Sequence, residues 1–341
     1  MSNREAWVHS LIKALLLIGF AAYIALLVKS GHIVYYISPR SILYVKLAAL
    51  ALYAAGAYQL YSAVSAFSGK LVECDCGHDH APPGSPWRSA LIYGLFALPL
   101  ALGFLMPDTT MGSSLAAKKG MNLSSGAALR TELRHQGAQD GLTGPQYSPA
   151  TAGRANNAPS ALSDRRTAAG EPGTSASSQD SLFPAGRAAA PFAKLARELY
   201  ATETIVIPER LYVETLTALD LYAARFAGKT VSLTGFVYRD STMDARHFAV
   251  GRFSVQCCSA DASPVGMLVQ DDRAGLYATD QWVRVTGTLG TTRQGGSELL
   301  VVRPVEVRTI GTPKEPYVYP DAAFGSKAAA TVVRPAPETL K

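Results

Sequence analysis

Three long apolar runs in the first third of the chain limit its architecture more than any other feature. They are Leu11–Val28, Ile42–Phe67 and Ala90–Met106. A helix of about 20 apolar residues crosses the hydrocarbon core of a bilayer, so each run predicts a membrane-spanning helix. The composition agrees, because 48% of the 341 residues are hydrophobic and only 17% are charged. That balance is too apolar for an ordinary soluble protein of this size.

Two of the runs have an alternative interpretation. The first is the right place for a secretory signal peptide, with Arg4 in its charged region, but no small-residue cleavage site follows it. Instead Tyr35 and Tyr36 follow, which is typical of a membrane interface. The third run has 17 residues and contains Pro99, so a re-entrant or interfacial segment is the alternative there. We favour a span in each case.

Residues 120–190 differ in composition from the rest of the chain. Ala, Gly, Ser, Pro and Asn dominate, and no apolar periodicity persists. Such a segment buries too little apolar surface to offset the entropy lost on ordering it. We therefore predict a transmembrane region at 1–119, a disordered linker at 120–190, a folded domain at 191–320 and a flexible tail at 321–341.

The folded domain shows the pattern of a small β protein. A short strand at Thr204–Ile207, a helix at Arg210–Phe226 and a polar hairpin turn at Gly290–Gly296 are predicted. Alternating runs rich in Val, Phe and Tyr predict five longer strands, at Lys229–Tyr238, His247–Gln256, Val265–Gln270, Gln281–Leu289 and Glu298–Val307. Five short strands with an accessory helix favour a partly open barrel of the OB type. The expected fold is thus an α-helical membrane region followed by an OB-like all-β or α+β domain.

Four potential metal ligands crowd the connection between the second and third apolar runs. Cys74, Cys76, His78 and His80 alternate with acids and a glycine within Glu73–His80. Thiolate and imidazole bind Zn²⁺ and softer ions such as Cu(I), and the acids attract a cation. The spacing is too tight for a zinc finger, and it favours a capture loop or half of a shared site, with Zn²⁺ the expected ion. A solvated turn with incidental or redox-active cysteines is the alternative.

The adjacent cysteines Cys257 and Cys258 are the second group that can carry chemistry. Asp261 follows them, and His247 begins the same predicted strand. Neighbouring residues of a strand point to opposite faces, so the two thiols are not expected to bind one ion together. We expect either small buried hydrophobic side chains or one thiolate near Asp261 that serves as a metal relay or a redox site.

The sequence contains no ordinary catalytic motif. There is no Walker loop, no GxGxxG or HExxH motif, and no arrangement of Ser, His and Asp typical of a catalytic triad. The net charge of +6 is scattered, and no basic face with interleaved aromatic residues indicates nucleic acid. We therefore expect neither an enzyme nor a nucleic-acid-binding protein.

Several stretches resemble the YcgQ-like family of bacterial membrane proteins. The most specific is RFSVQCCSADASPVGMLV at 252–269, with the core CC-x-A-D-A-x-P-x-G. The third apolar run and its exit, ALPLALGFLMPDTTMGSSLAAKKG at 97–120, are similar as well, as are GKTVSLTGFVYRD, WVRVTGTLG and KEPYVYP around the core. The likeness covers residues 5–120 and 195–320 and fails in the linker.

The resemblance implies N-terminal membrane helices and a C-terminal β domain. It also implies that the protein functions together with a separate multi-span permease of the YraQ type. It assigns no catalytic role. The residues carried over as the family core are Cys257, Cys258, Asp261, Pro264 and Gly266. The corresponding loop of relatives is richer in His and Asp, so Cys74 and Cys76 depart from the family pattern.

We therefore expect a multi-pass cell-membrane protein that is an accessory subunit of a permease for a metal cation or metal complex. The Cys74–His80 loop would capture the ion, and the β domain would dock on the permease or gate it. Two hypotheses come from other classes. One is a membrane-tethered thiol redox protein that uses Cys257 or Cys258, and the other is an OB-like binding module that works without metal.

Overall fold

The computed structural model of the chain describes residues 3–68, 86–127, 129, 182–294 and 297–326. Its contacts divide the chain into two units. The helical unit comprises residues 1–121, 252–264 and 311–320, and the barrel unit comprises residues 122–251, 265–310 and 321–341. Most of the predicted linker, the Cys74–His80 loop and the end of the predicted tail lie outside the described residues.

The helical unit contains three long helices at the predicted apolar runs. They are α1 at Asn3–Ser30, α2 at Ile42–Phe67 and α3 at Pro86–Leu105. All three are long and apolar enough to cross a membrane, with candidate spans at Trp7–Ser30, Ile42–Ser65 and Trp87–Leu105. The prediction of an N-terminal helical region with three candidate spans is confirmed.

Glycines bring these helices close together. Gly56 of α2 lies so near α1 that a Cβ there would stand 2.7 Å from Ile18 Cγ1. Gly103 of α3 lies against the Tyr23 ring of α1, where a Cβ would stand 2.8 Å from Cζ. In lipid, helices associate through van der Waals contact and need small residues for close approach. Both α2 and α3 therefore pack directly on α1.

Polar side chains join the segments that follow α1 and α3. A 3₁₀ turn at His32–Tyr35 and the short helix α4, Ser113–Lys119, lie in these segments. Asp108 accepts a hydrogen bond from the Tyr36 hydroxyl at 2.6 Å and contacts His32 Nδ1 at 2.9 Å. The Tyr36 bond and then His32 lower the pKa of Asp108, although burial opposes them. The C-terminal ends of α1 and α3 thus lie on the same side of the helical unit.

Seven strands form one mixed sheet, and the central five close into a barrel. The strands are β1 Thr204–Val206, β2 Thr230–Tyr238, β3 His247–Ser254, β4 Ser263–Gln270, β5 Trp282–Gln294, β6 Ser297–Thr309 and β7 Tyr317–Val318. Their order is β1-β2-β5-β6-β4-β3-β7, and a β2–β3 pairing closes the ring. β4 and β6 are parallel, whereas β2–β3, β2–β5 and β5–β6 are antiparallel. The predicted OB-like fold is confirmed.

The described part of the barrel unit includes the helices α5 at Ala190–Tyr200, α6 at Tyr212–Leu221 and α7 at Ala223–Phe226. The single helix predicted over Arg210–Phe226 is interrupted at Tyr222, where φ is −118° and ψ is 35°. The Tyr222 hydroxyl donates to the carbonyl of Pro184 at 2.9 Å, and its ring meets Phe183 edge-on at 5.2 Å. These tertiary contacts accompany the interruption of a sequence that is otherwise suited to one helix.

The β5–β6 hairpin is longer than predicted. The polar stretch Gly290–Gly296 was the expected turn, but β5 continues to Gln294 and β6 begins at Ser297. Within the stretch, Thr291 pairs with Leu300 and Arg293 with Glu298. The predicted turn was too long, because its first polar residues gain cross-strand partners here, including an opposite charge.

Candidate metal site

Cys257 and Cys258 lie in the turn between β3 and β4 and not on a strand. β3 ends at Ser254, and a 3₁₀ turn at Ser259–Asp261 follows the two cysteines. The backbone therefore leaves the pleated conformation before it reaches them. The expectation that the thiols point to opposite faces was wrong, because their Sγ atoms are only 3.6 Å apart.

The carboxylate of Asp261 holds this turn together. It accepts three backbone N–H groups, from Gln256 at 2.9 Å, from Cys257 at 2.7 Å and from Cys258 at 3.3 Å. Burial raises the pKa of this carboxyl, but the Cys257 thiol and the three N–H groups outweigh burial and lower the pKa to about 2. Asp261 is therefore ionised at neutral pH and places a negative charge beside both cysteines.

The two thiols contact Asp261 in different ways. The Cys257 thiol donates to the carboxylate, and this bond, followed by the contact with Cys258, raises the pKa of Cys257 to about 11. The Cys258 side chain instead accepts the backbone N–H of Asp261, in a reciprocal capping arrangement. Cys257 consequently keeps its proton at neutral pH unless a cation displaces it.

Cys257, Cys258 and Asp261 form the one group of potential metal ligands found among the described residues. Their ligand atoms all lie within 4.8 Å of one another. Two thiolates at about 2.3 Å from a tetrahedral Zn²⁺ ion stand about 3.8 Å apart, which is close to the separation of the two sulfur atoms here. The group fits a site with three protein ligands and one open position, as in zinc sites that exchange their fourth ligand.

The segment that follows α1 pairs with the cysteine turn. Ile37 and Cys258 form an isolated antiparallel bridge, and the Ser38 N–H donates to the carbonyl of Cys257 at 3.0 Å. Both partners belong to the helical unit. The thiols therefore lie beside the C-terminal end of a candidate span.

Lys119, the last residue of α4, also contacts the turn. Its ammonium donates to the carbonyls of Ala260 at 3.1 Å and Ala262 at 2.6 Å. Lys119, Ile37 and Ser38 were not predicted as site residues, because each reaches the turn from a distant part of the chain. No motif or local spacing marks such contacts.

Pro264 and Gly266 shape the strand that leaves the turn and supply no ligand atom to the group. Pro264 is buried near the start of β4, a position that tolerates a missing N–H. A Cβ on Gly266 would stand 2.6 Å from the carbonyl oxygen of Val250 and 2.8 Å from Gly251 Cα. Only glycine fits this approach of two strands without displacing a backbone.

The other predicted site residues are not part of this described group. His247 contacts Asp244 instead, through Nδ1 at 2.7 Å from Oδ1, and no hydrogen-bond partner of its buried Nε2 is found in the described part of the chain. The predicted loop ligands lie outside the described residues: Cys74, Cys76, His78 and His80. Their role as metal ligands stays a prediction.

Two family models match the chain. The model described as the DUF1980 N-terminal domain matches residues 12–122, and the one described as the DUF1980 C-terminal domain matches residues 184–320. The UPF0703 protein YcgQ of Bacillus subtilis (strain 168) is 33% identical over 100 residues, which are 29% of this chain and 35% of that relative. The match thus spans about a third of the curated relative's length. No solved structure matches the chain.

Proposed function

Since the chain belongs to the YcgQ-like family and carries both DUF1980 domains, we propose that it is an accessory subunit of a membrane permease that binds a soft transition-metal ion. The ion would bind to Cys257, Cys258 and Asp261. The open coordination position would let the subunit exchange the ion with the permease. Zn²⁺ is the ion that this ligand set favours.

The observation that carries the proposal is the spacing of the two sulfur atoms and the carboxylate. Thiolates select zinc and copper over magnesium and calcium, and a carboxylate favours Zn²⁺ over Cu(I). Cys257 is exposed and Cys258 is partly exposed, so an ion can reach both. Buried cysteines that served only as packing would not meet an ion from solvent.

Proton release would accompany metal binding at this site. Zn²⁺ binds the thiolate, so the proton that Cys257 shares with Asp261 must leave. Its departure frees a lone pair of the carboxylate to face the ion. Because the Asp261 charge holds this proton tightly, zinc affinity would rise as pH rises toward the pKa of Cys257, which is about 11.

The exposed side chains of α2 support a partner inside the membrane. Tyr53 and Tyr58 lie within the candidate span and are 57% and 52% exposed. A phenol hydroxyl in the hydrocarbon core has no water to bond and favours a protein partner. Three spans are too few to enclose a pathway alone, so a multi-span permease is the partner that we propose.

The Cys74–His80 loop would supply a second metal site. It connects the C-terminal end of α2 to the N-terminal end of α3. If each helix crosses the bilayer once, this connection emerges on the membrane face opposite to the end of α1, where Cys257 and Cys258 lie. Ligands on both faces suit a subunit that accompanies an ion across a membrane.

The thiol redox hypothesis receives less support from the geometry. A thiol that reacts rapidly needs a depressed pKa, usually from a nearby cation or a helix N-terminus. Here a carboxylate is beside Cys257 and raises its pKa to about 11. Metal binding, for which the carboxylate is an additional ligand, explains the same group better.

The partnership is tested by changing Tyr53 to phenylalanine, which removes only the hydroxyl. An interhelical hydrogen bond in lipid contributes about 0.6 kcal/mol, so we expect roughly threefold weaker binding of this chain to a co-expressed YraQ-type permease. The measurement is the dissociation constant of the two purified proteins in detergent. The matched control is Tyr44→Phe, because Tyr44 lies at the end of α2, where interfacial water reaches the hydroxyl. If the wild-type chain does not bind the permease, the partnership is wrong.

A further inference from the structure

The 3₁₀ turn that carries Asp261 closes through only two backbone-to-backbone hydrogen bonds. Its backbone closes through the Asp261 N–H to the Cys258 carbonyl at 3.1 Å and the Ala262 N–H to the Ser259 carbonyl at 3.3 Å. A 3₁₀ turn of this length is not stable by itself, because its hydrogen-bond geometry is poor and few bonds repay the ordering of its residues. Contacts from outside the turn therefore add to the three N–H groups that hold the Asp261 carboxylate in place.

Lys119 supplies such a contact on both sides of Asp261. Its Nζ donates to the Ala260 carbonyl, which precedes Asp261, and to the Ala262 carbonyl, which follows it. Both carbonyls lie at the end of the 3₁₀ turn. The last carbonyls of a helical turn have no hydrogen-bond donor within the turn itself. The ammonium therefore restrains the backbone on both sides of Asp261, at the peptide group that precedes it and at the peptide group between Ala262 and Ser263.

We infer that Lys119 is the positioning residue of the Cys257–Cys258–Asp261 site, an inference that rests on the proposed function where it concerns metal. It contributes no ligand atom, since a protonated amine has no lone pair to offer. It acts through Asp261, whose carboxylate must reach three N–H groups and the Cys257 thiol at once. Charge-assisted hydrogen bonds are about twice as strong as neutral ones, so two of them are an effective restraint.

If Lys119 acted only through its charge, its removal would change the Zn²⁺ affinity in the opposite direction to that expected of a positioning residue. A positive charge near a cation site repels the cation, so its removal would tighten Zn²⁺ binding. If Lys119 positions the carboxylate, its removal loosens the turn and weakens Zn²⁺ binding. The direction of the change therefore separates the two roles.

The experiment uses the full chain in detergent with Cys74 and Cys76 replaced by serine, so that alkylation reports only Cys257 and Cys258. For Lys119→Met we expect zinc affinity to fall about tenfold, as for other residues that orient metal ligands. We also expect faster alkylation of Cys257 without metal, because a loosened turn no longer holds its thiol against the Asp261 carboxylate. Lys119→Arg keeps the charge and the donors and should restore both values. Lys118→Met removes the same charge from the neighbouring position of α4 and is the matched control.

Tighter zinc binding in Lys119→Met, or alkylation at the wild-type rate, would overturn the inference. The same fall in zinc affinity and the same faster alkylation in Lys118→Met would also overturn it, because the effect would then belong to α4 in general. If the wild-type chain binds no zinc but Lys119→Met still accelerates alkylation, the proposed function fails while Lys119 remains the residue that positions Asp261. The alkylation rate thus distinguishes a failure of the Lys119 inference from a failure of the proposed function.

Discussion

Replacing Cys257 and Cys258 together by serine is expected to lower the Zn²⁺ affinity of the candidate site by a factor of about 100 or more. Changes that only misorient a ligand cost 10- to 100-fold in metal affinity, and removal of two ligands costs more. The remaining carboxylate of Asp261 is already bonded to three N–H groups and cannot hold a soft ion alone. The sulfur atoms, 3.6 Å apart, are thus the main determinants of binding.

The measurement is a competition titration with Zn²⁺ and Cd²⁺, in which thiolate-to-cadmium absorption reports the sulfur ligands. The full chain carries alanine at the four loop positions Cys74, Cys76, His78 and His80, so that the signal comes from Cys257 and Cys258. His247→Ala is the control, because His247 contacts Asp244 and not the cysteines. Equal zinc affinity with and without the two cysteines would exclude them as ligands.

The change Asp261→Asn is expected to have two opposite effects, one on metal and one on thiol reactivity. Zinc affinity should fall by a factor of about 100, since a ligand and the support of the turn are both lost. Alkylation of Cys257 should become faster, because the carboxylate is the main cause that raises the pKa of this thiol from 9.0 to about 11. Without the charge, the pKa moves back toward 9.0 and the thiolate fraction at pH 8 increases.

The size of the second effect follows from two opposing changes. A lower pKa raises the thiolate fraction at pH 8, but it lowers the nucleophilicity of each thiolate by roughly the square root of that gain. Because Cys258 and burial also raise the pKa of Cys257 and remain in the variant, we expect a net acceleration by a factor between about two and ten in the alkylation rate of the metal-free chain. Asp272→Asn, which removes an exposed carboxylate outside the site, should leave the rate unchanged. Slower alkylation in Asp261→Asn would mean that the carboxylate activates Cys257, as the redox hypothesis requires.

The general architecture could be predicted because it depends on simple physical limits. The thickness of a bilayer fixes the length of a spanning helix, and the runs at Leu11–Val28 and Ile42–Phe67 meet it. Apolar alternation likewise marks the strands of the barrel, since one face of each strand packs inside. The five barrel strands therefore appear near their predicted positions.

The geometry of the site could not be predicted, because it depends on where a strand ends. The two cysteines were expected to keep the alternation of the strand predicted at His247–Gln256, but Asp261 reaches back to the N–H groups around them and forms a turn. That turn brings together two thiols that a strand would separate. Lys119 stabilises it from another part of the chain, and no local pattern reveals such a contact.

The roles of Pro264 and Gly266 are a further result that the sequence alone left open. The family resemblance groups them with Cys257, Cys258 and Asp261, but in the structure only those three residues bring potential ligand atoms together. Gly266 allows β4 to lie against the backbone of Val250 and Gly251. The most specific motif of the chain thus combines three potential ligands with two residues that direct the strand behind them.

Zinc binding by Cys257, Cys258 and Asp261 is tested most directly by the zinc content of the reduced full chain with Cys74, Cys76, His78 and His80 replaced by alanine. We expect this variant to retain about one zinc ion per chain, with two sulfur ligands in its X-ray absorption spectrum, because Cys257, Cys258 and Asp261 remain. A variant that contains no zinc, while the wild-type chain prepared in the same way binds it, would show that these three residues do not bind zinc. The metal would then belong to the Cys74–His80 loop alone.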